Sequence, residues 1–248
     1  YHVNFSYSGD AELKTLKNVT LHISSGETIG IIGASGSGKS SFVSLINRLY
    51  DVDQGPGSVL VGGKDVRSYE LDTLRKSVAV VLQKNVLFSG TILDNLRWGN
   101  ETATEEECRA ACQAACADEF INGLPEGYQT HIERGGANVS GGQKQRLCIA
   151  RALLSQPKIL VMDDSTSAVD TATDAEIRTA LADQLPDTTK IIVAQRIASV
   201  EDADRIIVLE DGQVTAYDSH KNLLHTNQFY RELNDLQKSS GGDFDLES

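Results

Sequence analysis

Between the apolar run "TIGIIG" (28–33) and the helix-patterned "FVSLINRLY" (42–50) lies the octet "GASGSGKS", Gly33 to Ser40. It fits G-x-x-x-x-G-K-[S/T] at every fixed position and in the strand-loop-helix setting that the pattern requires. No other stretch constrains the chain so tightly, because such a unit belongs to layered α/β architecture. The glycines let successive backbone N–H groups face phosphate oxygens, and the following helix N-terminus adds a favourable dipole. Lys39 is suited to bridge terminal phosphates and Ser40 to ligate Mg²⁺. The implied ligand is a nucleoside triphosphate with Mg²⁺, held by Gly33, Ser35, Gly36, Ser37, Gly38, Lys39, Ser40 and Ser41.

Further strands are expected at "VTLHIS" (19–24), "VAVVLQ" (78–83), "KILVMD" (158–163), "TKIIVA" (189–194) and "RIIVL" (205–209). Residues 104–122 and 141–155 have helical periodicity, and 218–237 are mostly helical in pattern. The middle of the chain therefore reads as a helical insert in an α/β layer. A strand ending in an acid, "ILVMD", places Asp163 where a carboxylate can serve the same magnesium. The last eleven residues, "KSSGGDFDLES" (238–248), are polar and acidic and are expected to be disordered.

With 248 residues, 40% of them hydrophobic, the chain can bury the core of one large domain or of a domain with a subdomain. A net charge of −12 without any Lys/Arg stripe argues against nucleic acid as a partner. Apolar runs fall far short of the roughly 20 residues that cross a bilayer, and no signal peptide opens the sequence. Cys108, Cys112 and Cys116 recur at every fourth position, which lines one face of a helix. Alanines between them and the lack of a fourth ligand nearby favour packing in a reducing compartment over a metal site; Cys148 reads the same way.

The run "VSGGQKQRLCIARAL" (139–153) is similar to the signature of ABC transporter nucleotide-binding domains, and the resemblance extends over nearly the whole chain. It implies a P-loop NTPase (RecA-like) α/β core with an antiparallel β subdomain and an inserted α-helical subdomain. Residues 1–237 would form one ATPase domain, with 1–85 and 158–237 as core plus β subdomain and 86–157 as helical subdomain. By the same resemblance, Ser140, Gly141, Gly142 and Gln143 close on the γ-phosphate of ATP held by a second such domain. Tyr7 stacks on adenine, where it would otherwise read as a strand-core tyrosine. Gln83 contacts Mg²⁺ and the attacking water, residues 85–96 meet the coupling helices of a transmembrane domain, and 167–170 link the two ATP sites.

Two positions depart from the hydrolytic pattern of that family. Asp164 stands where a glutamate polarises the attacking water, and Gln195 stands where a histidine contacts the γ-phosphate. An aspartate withdraws its carboxylate by about 1 Å, a misplacement that can cost roughly 10²-fold in rate. Glutamine cannot take a proton. "THIERGG" (130–136) also differs from the "TEVGERG" of exporters. Both active-site departures affect hydrolysis and spare binding, as in the slow half of a heterodimeric exporter at the cytoplasmic face of a cell membrane. A self-sufficient homodimeric ATPase and a soluble, non-transport ABC switch protein are the competing readings, separated from the first by the turnover of the chain alone and by the exporter-like stretch "FSGTILDNL".

Overall fold

Branched aliphatic side chains fill the runs that form the central strands, which are buried along nearly their whole length. The computed structural model describes residues 1–10, 12–52, 55–84, 86–164 and 169–239. In chain order the elements begin with β1 (Val3–Phe5), β2 (Leu16–Val19), β3 (Thr28–Ile32), α1 (Lys39–Ile46), β4 (Leu60–Val61), β5 (Lys64–Asp65), α2 (Leu71–Ser77) and β6 (Val78–Val81). There follow β7 (Gly90–Thr91), α3 (Ile92–Arg97), α4 (Glu105–Ala114), α5 (Asp118–Asn122), β8 (His131–Ile132), α6 (Gly141–Leu154) and β9 (Ile159–Asp163). The described chain ends with α7 (Thr171–Gln184), β10 (Thr189–Val193), β11 (Arg205–Glu210), β12 (Gln213–Asp218), α8 (His220–Thr226) and α9 (Gln228–Ser239).

Two compact units divide these elements, one of residues 1–78 with 189 onward and one of residues 79–188. In the first, the strand order is β12-β11-β3-β10. Strand β3 runs parallel to both neighbours, with Ile29 opposite Ile191 and Ile207 opposite Ile31. Its carboxyl end is thereby fixed from both sides, and it delivers Gly33. An antiparallel pair, β1 with β2, and the short β4–β5 ladder make the β subdomain. Ile32, Ile192, Val208, Leu223 and Tyr230 pack in one core cluster, Phe5, Leu16, Leu45 and Leu209 in another.

In the second unit β6 and β9 are sheet neighbours, and α3, α4 and α6 enclose a core that includes Leu96, Cys108, Cys112, Leu147 and Ile149. The sequence states where these helices start. Thr91, Thr104 and Ser140 each accept from the N–H three residues on, while Asp94, Glu107 and Gln143 reach back to the cap, which are three reciprocal capping boxes.

Several expectations need correction. The strand expected at 19–24 is Leu16–Val19 instead, because pairing with β1 turns Leu16 and Val19 inward; residues 20–24 form no strand. Helix α1 starts at Lys39 and stops at Ile46, since Arg48 turns left-handed at φ 53°. Residues 104–122 make two helices, broken where Cys116 takes φ 53°, so only Cys108 and Cys112 share a helix. Edge strand β12 precedes the C-terminal helices, and α7 forms from a largely polar run. Lys238 and Ser239 belong to α9, and the remainder of the expected tail lies outside the described residues.

Burial pushes the Cys112 thiol from 9.0 up to about 12. Unfolding therefore releases a proton between those values, and stability that is complete below pH 9 falls as pH rises toward 12. Urea denaturation from pH 8 to 10.5 should show this decline. In Cys112→Ala the slope should be shallower, by up to about 1.4 kcal/mol per pH unit; identical slopes would contradict the burial argument.

Candidate functional site

The phosphate-loop sequence is built around positions where a side chain does not fit. A Cβ on Gly33 would run into the Leu209 carbonyl and stand 2.6 Å from Ser37 Oγ. Gly38 adopts φ 101°, and a Cβ there would lie 2.9 Å from both the Thr15 carbonyl oxygen and Leu16 Cδ2. The loop consequently hugs the core and turns sharply into α1. Gly38 is the N-cap, and no described side chain caps the helix, which is the kind of start that suits an anion. Lys39 Nζ donates to the Gly33 carbonyl at 2.6 Å and the Ala34 carbonyl at 2.9 Å, which lays the ammonium across the loop. Ser37 Oγ is buried without a partner among the described residues, while its carbonyl is fixed by the Gly212 N–H at 3.1 Å. Ser35 and Gly36 on the loop and Ser40 in the first turn of α1 are exposed. Uncapped amides, a primary ammonium and a small-residue cradle fit a polyphosphate.

Two more candidates lie in the same unit. The Tyr7 hydroxyl meets Ser41 Oγ at 2.8 Å, so the aromatic residue assigned to the base is tied to the helix assigned to the phosphates. Gln195 follows β10, where the Ala194 N–H donates to the Ile31 carbonyl at 3.1 Å beside the end of β3. Its carbonyl accepts from Gln237 Nε2 at 2.8 Å, and Gln237 Oε1 accepts from the Ile197 N–H at 2.8 Å. Gln237 on α9 thus clamps the segment that carries Gln195. Nothing in the local sequence marks it, because the contact spans 42 residues.

In the second unit Asp163 closes β9 and Asp164 turns left-handed at φ 47°. Asp164 Oδ2 accepts from Gln83 Nε2 at 3.0 Å, so the two side chains assigned to the attacking water meet across 81 residues of sequence. Gln83 sits two residues beyond β6 and is exposed; it does not end the strand as expected. At the start of α6, Ser140 Oγ accepts from the Gln143 N–H at 3.2 Å and Gln143 Oε1 from the Ser140 N–H at 3.0 Å. Gly141 and Gly142 occupy the first turn between them.

The stretch 86–96 is well ordered by its own polar groups, Asn85 lying outside the described residues. Buried Asn95 accepts from the Phe88 N–H at 2.8 Å and donates to the Phe88 carbonyl at 2.9 Å and the Thr91 carbonyl at 3.0 Å. Phe88 stacks on Trp98 at 4.7 Å, both of them exposed. Gly90 and Thr91 pair with Ile132 and His131, so the unusual "THIERGG" run is joined directly to this stretch. Of the segment 167–170, Ser167 and Ala168 lie outside the described residues. Asp170 caps α7, and the Thr173 N–H and hydroxyl hold its carboxyl below the usual range.

Comparison with known proteins follows the same lines. The ABC transporter family model matches residues 16–167. The chain is 41% identical over 238 residues to ABC transporter B family member 14 of Arabidopsis thaliana, covering 96% of this chain and 19% of that protein. It is also 41% identical to the ATP-dependent lipid A-core flippase of Haemophilus influenzae, covering 96% of this chain and 40% of the flippase. A solved structure of a bacterial Atm1-family ABC exporter with ATP bound superposes with a TM-score of 0.90 at 35% identity, over 95% of this chain and 41% of that one. The chain thus spans less than half the length of each of these relatives.

Replacing Lys39 by alanine should weaken ATP binding by about 10- to 100-fold, the range for charge-assisted hydrogen bonds. Calorimetric titration of both proteins checks this, and equal affinities would reject the phosphate cradle.

Proposed function

Because this chain belongs to the ABC transporter family, we propose that it is the ATP-binding and ATP-hydrolysing domain of an exporter, pairing around ATP with a second, non-identical nucleotide-binding domain. Residues 1–237 act as one ATPase domain, with the helical subdomain at 86–157. Tyr7 stacks on adenine, and the loop amides with Lys39 hold the phosphates. By residue pattern, Ser40, Gln83 and Asp163 are the ligand candidates for Mg²⁺, which would neutralise charge on the terminal phosphates.

The observation that carries the asymmetric reading is Asp164. Its carboxylate is one methylene shorter than a glutamate's, it stands on left-handed backbone, and Gln83 already occupies one of its oxygens. A general base in that position is retracted. Gln195 cannot replace an imidazole in proton transfer or as a cation. By contrast, the Ser140 hydroxyl accepts from its own helix and keeps its proton for donation, and the amides of the first turn of α6 point out along the helix axis. This chain therefore contributes a slow site of its own and an intact signature to its partner's site.

Phe88, on the stretch that resembles the coupling region of exporters, stacks with Trp98 into an exposed apolar patch, and Val86 on the same stretch is also exposed. We assign that patch to a transmembrane domain of the same exporter, at the cytoplasmic face of the cell membrane. Among the described residues no helix is long and apolar enough to cross a membrane.

Turnover by the chain alone should be very slow, and Asp164→Glu with Gln195→His should raise it at least about tenfold, more than either change singly. In a reconstituted heterodimer, Gly142→Asp in this chain should cut steady-state ATPase activity more than about tenfold, by placing a carboxylate against a γ-phosphate. Asp164→Asn should cost less than about twofold. Equal and severe losses would make the two sites equivalent and overturn the asymmetry.

A further inference from the structure

Three aromatic rings meet beside the phosphate helix. Phe5, at the end of β1, is buried, and the Tyr7 ring stands against it edge-on at 4.8 Å and 77°. Tyr50 completes the group, 5.0 Å from Tyr7 at 88° and 5.6 Å from Phe5. Tyr7 and Tyr50 remain 57% and 48% exposed, so the pair is not a piece of core. Edge-to-face contacts of this kind favour one ring orientation over others.

The position of Tyr50 is itself determined by the way α1 ends. Arg48 takes φ 53°, and the Leu49 N–H returns to the Ser44 carbonyl at 2.9 Å, a Schellman turn. Arg75 donates to the Asn47 carbonyl at 3.4 Å and the Arg48 carbonyl at 3.1 Å, and Arg48 Nε binds Asp51 Oδ1 at 2.7 Å. Thus the helix assigned to the phosphates ends in a turn that brings Tyr50, four residues beyond Ile46, back to Tyr7. The Tyr7 ring is held by Phe5, by Tyr50 and, through its hydroxyl, by Ser41 at 2.8 Å.

We propose that Tyr50 is a positioning residue for the base platform, holding the Tyr7 ring in the orientation that receives a purine. This rests on the reading of Tyr7 as the adenine-stacking residue. Because Tyr50 acts on the base and not on the phosphates, its removal should separate the two kinds of ligand.

The test is calorimetric titration of the chain and its variants with ATP and with inorganic tripolyphosphate, which lacks base and sugar. Tyr50→Ala should weaken ATP about 3- to 10-fold and leave tripolyphosphate within about twofold, while Tyr50→Phe restores ATP binding. Tyr7→Ala is the reference and should weaken ATP at least as much, again sparing tripolyphosphate. Parallel loss of both ligands in Tyr50→Ala would mean a general role in the loop and overturn the proposal. Unchanged ATP affinity in Tyr50→Ala, with Tyr7→Ala impaired, would overturn the bracing and leave the stacking intact. If Tyr7→Ala treats both ligands alike, the stacking reading itself falls, and the bracing with it.

Discussion

The phosphate half of the site depends on a helix start that no described side chain caps. Among the described residues, five other α-helices are capped by their own sequence, at Thr91, Thr104, Ser140, Asp170 and Ser219. Helix α1 has Gly38 in that place and no acid in its first turn. Glycine in place of a capping side chain costs only roughly a few tenths of a kcal/mol, and the left-handed glycines add backbone entropy to the cost of folding. The core supplies the compensation: Val43, Leu45 and Ile46 of α1 are buried, and β3 is held between two parallel neighbours. A helix start that is locally poor and globally anchored is what an anion site at a helix terminus requires.

Binding and hydrolysis draw on different resources in this arrangement. Phosphate recognition is spread over backbone amides, whose directions are set by φ and ψ and survive most side-chain changes. Hydrolysis concentrates on a carboxylate and a proton-handling ring at single positions. On the proposed reading, Asp164 and Gln195 alter those positions, while the sequence of the phosphate loop is intact. Loss of turnover with retention of binding is the expected result of change in such a site.

Much of the fold could be read directly. The glycine loop, the strands at 28–32, 159–163, 189–193 and 205–210, and the capped start of α6 all follow from local rules of periodicity and capping. The errors share a physical origin in pairing partners distant in sequence. β2 is selected by β1, which rewards Leu16 and Val19 over the equally strand-like residues that follow. β12 alternates polar and apolar residues at a sheet edge, a weak signal, and α7 buries only Asp174, Ile177 and Leu181 along its length. Cys116 and Arg48 take left-handed conformations that neither residue type announces. For the candidate site, the sequence offered candidates but not their contacts: Gln83 with Asp164, Tyr7 with Ser41, and Gln237 with the chain at Gln195 are all tertiary facts.

The left-handed backbone at Asp164 gives the short acid a reason to be there. Aspartate is enriched at φ > 0 because its short polar side chain can hydrogen-bond locally, an advantage that a glutamate's longer chain lacks. The hydrogen bond from Gln83 then holds one of its carboxylate oxygens at 3.0 Å. Backbone preference and side-chain pairing thus point the same way, toward a carboxylate held back. A longer acid at this position would have to accept left-handed backbone and displace the Gln83 amide. Gln83 is exposed and beyond its strand, so it can retreat without disturbing β6. On the proposed reading, slow hydrolysis is local to these side chains, and neither β6 nor β9 need change.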